Sequence, residues 1–107
     1  SSVKYVGEVH KFCFCSECSR PMVDPVTVSA CEHSFCRACV ENFSQCPLCG
    51  QTSMTLERAD KTLRALLGEL NVECEKCPWK GYRFQLEEHV KLECKGFSKQ
   101  EVYTFQD

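Results

Sequence analysis

Ten cysteines and two histidines of this chain stand in one ordered series whose intervals are those of metal ligands. The series opens as Cys15-x2-Cys18-x12-Cys31-x-His33-x2-Cys36-x2-Cys39-x6-Cys46-x2-Cys49. After a gap it resumes as Cys74-x2-Cys77-x11-His89-x4-Cys94. A structural zinc ion takes four Cys or His ligands, so the series supplies three closed sites with nothing left over. In a chain of 107 residues this implies two or three very small modules. A unit of roughly 25–45 residues cannot bury enough apolar surface to offset its conformational entropy and needs a staple. Disulfides are the alternative staple. The odd count of 11 cysteines, the repeated Cys-x2-Cys pairs and the interleaved histidines favour zinc. No charged segment followed by an apolar run opens the sequence, so a secretory, disulfide-forming route is unsupported and an intracellular, cytoplasmic rather than nuclear, setting is expected.

Charge narrows the partners. The formal charge is −2 with every cysteine neutral. Metal binding deprotonates the ligating thiols, so three zinc ions on ten thiolates bring the loaded protein to about −6. Sequence-independent binding of nucleic acid needs clustered Lys and Arg, and an acidic module lacks that footprint. No apolar run approaches the roughly 18 residues of a membrane span.

The remaining pattern places the ligands on elements. Residues 1–14 read as a flank, with Val3, Tyr5 and Val9 alternating against polar neighbours as a short strand or an extension; Ser1-Ser2 reads as an expression remnant. Residues 15–55 hold the eight-ligand run. Within it Val26-Thr27-Val28, bounded by a turn at Asp24-Pro25, reads as a strand, and Arg37–Phe43 as about two helical turns. Leu56, Ala59, Leu63, Leu66, Leu67 and Leu70 share one face of a 3.6-residue period. They predict a helix over 56–70 within a linker 56–73, with Asp60 as N-cap of its main body. Residues 74–95 form the second module: a knuckle, a turn at Lys80-Gly81, and a helix from about Phe84 to Leu92. In it Phe84, Leu86 and Val90 are expected to back the ligands against Trp79. The tail 96–107 has Phe97, Val102, Tyr103 and Phe105 without a clear period and reads as the start of a further module. The fold class expected is a small zinc-stabilised α+β chain.

The first eight ligands, with one histidine in fourth place, resemble a RING finger of the three-Cys, one-His, four-Cys type; LIM domains place the histidine third and PHD fingers fifth. Spacing alone equally permits side-by-side pairing of the ligand pairs. The resemblance implies a cross-brace instead: Cys15, Cys18, Cys36 and Cys39 on one zinc, and Cys31, His33, Cys46 and Cys49 on the other. Val26, Val28, Phe35 and Val40 then form the small core between the two ions. It further implies a ubiquitin ligase, which has no nucleophile of its own and acts by holding a ubiquitin-charged conjugating enzyme beside a substrate lysine. The partners so implied are that enzyme and ubiquitin, docked on the first and last knuckles and the helix between them. Pro47 matches the family there, and Phe43 occupies a commonly aromatic contact.

Two positions depart from the active pattern. The residue before Cys18 is usually aliphatic in RING fingers that bind a conjugating enzyme, and here it is Glu17. A carboxylate in an apolar contact is desolvated without a partner. The residue after the last cysteine is often a basic linchpin, and here it is Gly50. The alternative reading is therefore a non-catalytic adaptor whose RING and finger mediate assembly, a homodimer among the outcomes.

The last four ligands, Cys74, Cys77, His89 and Cys94, make a short ββα-like Cys-Cys-His-Cys finger with its own zinc. If His89 were an ordinary surface residue of a Glu-rich helix, three cysteines would lack a fourth ligand. A RING, a leucine-rich segment and a finger with Cys-Pro-Trp-Lys-Gly resemble the amino-terminal part of the tumour-necrosis-factor-receptor-associated factors, from Cys15 to Cys94. Cys13 lies outside the series. It reads as a leftover thiol beside Phe12 and Phe14 rather than as a competing ligand, a redox-sensitive thiol or a catalytic cysteine, since no base stands near it in sequence. His10 reads as an ordinary flank residue.

Overall fold

Alternation of Val26 and Val28 about Thr27 organises the first half of the chain. In the computed structural model, which describes residues 3–94, the elements run β1 (Lys4–Tyr5), a 3-10 turn (Lys11–Cys13), β2 (Pro25–Val28), β3 (Ser34–Cys36), α1 (Arg37–Val40), β4 (Leu56–Arg58), α2 (Lys61–Gly68), β5 (Asn71–Glu73), β6 (Lys80–Tyr82) and α3 (Arg83–Leu92). They divide into two compact units, one spanning His10–Leu67 and the other drawing on the segments before His10 and after Leu67.

In the unit of residues 10–67, β2 is the centre of an antiparallel sheet of order β3-β2-β4. Val26 faces Phe35 on one side and Arg58 on the other, and Val28 pairs with Leu56. Because successive strand residues point to opposite faces, Val26 and Val28 go inward together. With Phe35 of β3 and Val40 of α1 they are wholly buried. Thr27 points the other way and shares a 2.7 Å hydrogen bond with the Ser34 hydroxyl. So small a core has no reserve of packing. Phe35→Ala is expected to cost about 3–5 kcal/mol, read from denaturant unfolding of the zinc-loaded protein.

The helix predicted over 56–70 forms only from Lys61 to Gly68. Leu56–Arg58 instead pairs with β2, whose outer backbone groups need partners that a helix cannot offer. Asp60 then caps the shorter helix, its Oδ1 accepting from the Leu63 N–H at 2.8 Å. Leu67 and Ala59 are buried, but Leu66 is half exposed. The apolar period thus spans a strand, a short connection and a helix rather than one face. The linker 56–73 thus carries strand at both ends, since Asn71–Glu73 is strand as well. The helical reading of Arg37–Phe43 shortens to Arg37–Val40.

The other unit is a sheet of order β1-β5-β6, antiparallel throughout, with α3 following directly. Val72 at the middle of β5 is fully buried. Of the two readings of the flank, the strand is the one observed: Lys4 and Tyr5 pair with Glu73 and Val72, and Val6 donates to the Asn71 carbonyl at 2.9 Å. Glu73 receives Lys4 at 2.7 Å and Lys80 at 3.8 Å. The Lys4 ammonium holds the Glu73 carboxyl below its ordinary range. That contribution is present above the usual carboxylate pKa and is lost as acid protonates Glu73.

Two local expectations are overturned in this unit. Lys80-Gly81 is not a turn but the start of β6, opposite Val72 and Glu73. Phe84 does not back the ligands; it is 63% exposed and stacks on Tyr82. Leu86, His89 and Val90, at helical offsets of three and four, form the face that turns inward, and Phe84 lies off it. The tail 96–107 lies outside the described residues.

Candidate metal centres

Three groups of four side chains bring their ligand atoms within 4.8 Å of one another: Cys15, Cys18, Cys36 and Cys39; Cys31, His33, Cys46 and Cys49; and Cys74, Cys77, His89 and Cys94. All twelve residues of the series fall in these groups, and the first eight are interleaved rather than paired side by side. Among the described residues Cys13 joins none of them; it is buried, with its carbonyl accepting from the Met22 N–H at 2.7 Å.

The separations fit zinc. Sulfurs placed tetrahedrally about 2.3 Å from one ion lie about 3.8 Å apart, and a sulfur and a ring nitrogen about 3.5 Å apart. Cys18 and Cys36 sulfurs are 3.9 Å apart, and Cys46 lies 3.5 Å from Nδ1 of His33. In the third group the Cys74 and Cys94 sulfurs are 3.5 Å apart, and Cys77 is 3.2 Å from Nε2 of His89. The two histidines use different nitrogens. His33, two residues from Cys31 in the chain, presents the nitrogen nearer its own backbone, whereas His89 reaches from a helix with the far one.

Local backbone geometry aims the sulfurs. In the first knuckle the Cys15 N–H donates to Arg20 at 2.8 Å and Ser19 donates to Cys15 at 2.7 Å. The knuckle at Cys46 and Cys49 repeats this, Cys46 donating to Gln51 at 2.8 Å and Gly50 to Cys46 at 2.8 Å. The residue after each pair takes a left-handed turn, φ 59° at Ser19 and 77° at Gly50. Backbone N–H groups also donate to the sulfurs: Val23 to Cys36 at 3.3 Å, Cys36 to Cys15 at 3.5 Å and Lys76 to Cys74 at 3.4 Å. In the third group the last turn of α3 delivers Cys94, whose N–H donates to the His89 carbonyl at 2.9 Å.

Thiols this close cannot all ionise without a cation among them, and their acidities split. Burial and the adjacent Cys15 push Cys39 up to about 12. Cys36 is raised by burial first and then by Cys15 and Cys18. Burial opposes ionisation of Cys18 too, yet hydrogen bonds from Arg20, Cys36 and Cys15 bring it down to about 7. Cys46, against its burial, falls to about 6 through the Leu48 and Cys49 backbone and His33. At Cys31 a backbone hydrogen bond from His33 pulls down, but burial and neighbouring Cys49 and Cys46 outweigh it. A dication removes this conflict by stabilising every thiolate at once, with release of the protons.

The surface expected to dock a partner is open. Glu17, Phe43 and Pro47 are all exposed, Phe43 with 40% of its surface free. Leu48, beside Pro47 in the last knuckle, is 55% exposed and went unread in the sequence. Its signal was available: an apolar side chain between two ligands has no core to enter. His10, read as a flank residue, caps the 3-10 turn by accepting from the Phe12 N–H at 3.2 Å and stacks on that ring.

One glycine in the third centre is dictated by contact. A Cβ on Gly81 would lie 2.5 Å from the Trp79 ring and 3.0 Å from Gln85 Oε1. Gly81→Ala therefore displaces the indole or the strand, and a loss of about 1–3 kcal/mol is expected in the unfolding of this unit. Trp79 fluorescence, from the single Trp of the chain, reads it directly.

The interleaved groups and the order of their ligands define a RING finger. Residues 14–51 match the zinc-RING finger domain family, and this segment is a RING finger. Among curated proteins the chain is similar to the E3 ubiquitin-protein ligase NRDP1 of Danio rerio, 30% identical over 92% of this chain and 34% of that protein. Human NRDP1 is 32% identical over 67% of this chain and 25% of its own length. The human E3 ubiquitin-protein ligase RNF138 is 28% identical over 78% of this chain and 38% of its length. The chain thus spans between about a quarter and two fifths of the length of these relatives. No helix among the described residues is long and apolar enough to cross a membrane.

Proposed function

We infer that this chain is the zinc-binding, enzyme-docking part of a RING-type ubiquitin ligase. The observation that carries the reading is the interleaving of eight ligand atoms into two groups within a segment of the RING family. Relatives named as ubiquitin ligases over most of this chain support it. Zinc fits all three groups by donor type and spacing and would be held by the twelve residues named, one ion each. Its contribution is structural: it cross-links segments that have little apolar core. The RING ends near residue 55, and residues 74–95 form the finger, read on Cys-Pro-Trp-Lys-Gly as similar to those of the tumour-necrosis-factor-receptor-associated factors.

On this reading the protein forms no covalent intermediate. Every RING cysteine after Cys13 is committed to a ligand group, and Cys13 is buried. The amine of a substrate lysine attacks the thioester carbonyl of the charged conjugating enzyme, and that enzyme's thiol leaves. The RING contributes placement and pre-organisation of the thioester. Phe43, Pro47 and Leu48 offer the apolar contact, and Glu17 sets its tolerance.

Incubation with a panel of ubiquitin-charged conjugating enzymes tests the reading. Accelerated discharge with at least one enzyme is expected; none with any member sinks it. Glu17 and Gly50 favour a second reading, a RING and finger kept as a non-catalytic adaptor or dimerisation module in a signalling scaffold. It predicts self-association without discharge, and a monomer by sedimentation at high concentration would exclude it.

A further inference from the structure

Trp79 and His89 lie face to face, ring centroids 4.4 Å apart and planes 12° from parallel. His89 is the sole histidine of the third group and is 4% exposed, with Nε2 turned to the Cys77 sulfur. A ligating histidine almost always donates its other ring N–H to a carboxylate, carbonyl or water, which fixes the ring plane. Among the described residues Nδ1 of His89 is buried without any hydrogen-bond partner. No protein group among the described residues supplies the usual lock on the imidazole, and a parallel aromatic plane lies against the face of the ring.

We propose that Trp79 is the positioning residue of the third metal centre, holding the His89 imidazole in its ligating plane by stacking in place of a hydrogen bond. The inference rests on the reading of that group as a zinc site. Three features of the same segment support it. The Cys74 N–H donates to the Trp79 carbonyl at 2.9 Å, which ties the tryptophan to the ligand knuckle. Gly81 leaves the space that the indole occupies, since a Cβ there would meet two atoms of its six-membered ring at 2.5 and 2.7 Å. The backbone of His89 is fixed as well, its carbonyl accepting from both Glu93 and Cys94 at 2.9 Å. With main chain and one nitrogen set, the ring torsion is the remaining freedom. An offset-stacked ring restricts that torsion, whereas an aliphatic side chain of similar bulk does not.

Native mass spectrometry of the full chain across a chelator series tests this. The wild-type protein is expected to carry three zinc ions. Trp79→Leu should lose one of them at roughly 10- to 100-fold lower chelator, the usual penalty for removing the support of a ligand. Trp79→Phe, which keeps a ring at the same place, should restore retention to within about threefold of wild type. A variant that only filled apolar space would show no such split between Phe and Leu. Equal retention in Trp79→Leu and wild type overturns the proposal, as does a Trp79→Phe no better than Trp79→Leu. If Trp79→Leu does not fold, cobalt-loaded Trp79→Phe and wild type decide: closely similar ligand-field bands are expected, and bands lacking the histidine contribution overturn it. A wild-type chain holding only two ions would sink the zinc reading of this group, and the inference with it, before any variant is made.

Discussion

Removing zinc is expected to unfold both units rather than merely silence them. Structural zinc contributes on the order of 10–16 kcal/mol of apparent free energy per site at neutral pH, whereas a small domain is stable by about 5–15 kcal/mol in all. Beyond the metal ligands, the buried apolar side chains of the RING unit are Cys13, Met22, Val26, Val28, Phe35, Val40, Ala59 and Leu67. So small a core cannot by itself offset the conformational entropy of ordering the unit, and the metal sites make up the difference. Titration with a chelator should therefore abolish amide dispersion and the circular dichroism signal together, and zinc should restore both. A chelated chain with its dispersion intact would overturn the architecture. Acid acts through the same ligands. A zinc-bound thiolate has its pKa held below the free thiol value of about 8.5, so the stabilisation is present above that value and is lost as pH falls through the bound-state pKa. Zinc should accordingly be released on acidification, together with loss of amide dispersion.

This dependence explains why the ligand series was so legible and other features less so. Metal ligands impose residue type and spacing together, so the twelve positions stand out in the sequence as one series, and the β-branched pair Val26 and Val28 marks the core. The cross-brace was another matter: spacing is neutral between the two pairings, and only the folded chain shows Cys36 beside Cys15 and Cys18. Leu56 and Ala59 continue the helical period of Leu63 and Leu67 by coincidence, the first half-buried on a strand and the second buried in the connection that follows it. What decides between them is the open edge of β2, a tertiary demand that no local window contains. Gly81 is a similar case. Its sequence neighbours suggest a turn, but its reason is an indole packed on the backbone two residues away. The pairing of Lys4 and Tyr5 with β5 joins segments almost seventy residues apart, beyond the reach of any periodicity.

Substitution of Glu17 by isoleucine is expected to raise ubiquitin discharge by about tenfold. An unpaired carboxylate desolvated in an apolar contact costs about 1–3 kcal/mol, and 1.4 kcal/mol is a factor of ten in binding. Glu17 is exposed in the first knuckle, so the substitution leaves the zinc ligands and the core untouched. Gly50→Arg tests the other departure, and the structure shows that it is tolerable. A Cβ at Gly50 meets nothing within 4 Å. The left-handed φ of 77° there does not demand glycine, since Ser19 holds 59° at the same place in the matching knuckle with a side chain attached. The strain is about 1–2 kcal/mol, small beside the free energy of the adjoining zinc site. If the RING works by docking a charged enzyme, Glu17→Ile should act mainly on the concentration of enzyme required, and Gly50→Arg on the rate at saturation, because a linchpin acts on the docked thioester. An adaptor that never docks the enzyme would respond to neither. The pair of substitutions thus separates a ligase with a weakened surface from a RING whose surface serves another contact.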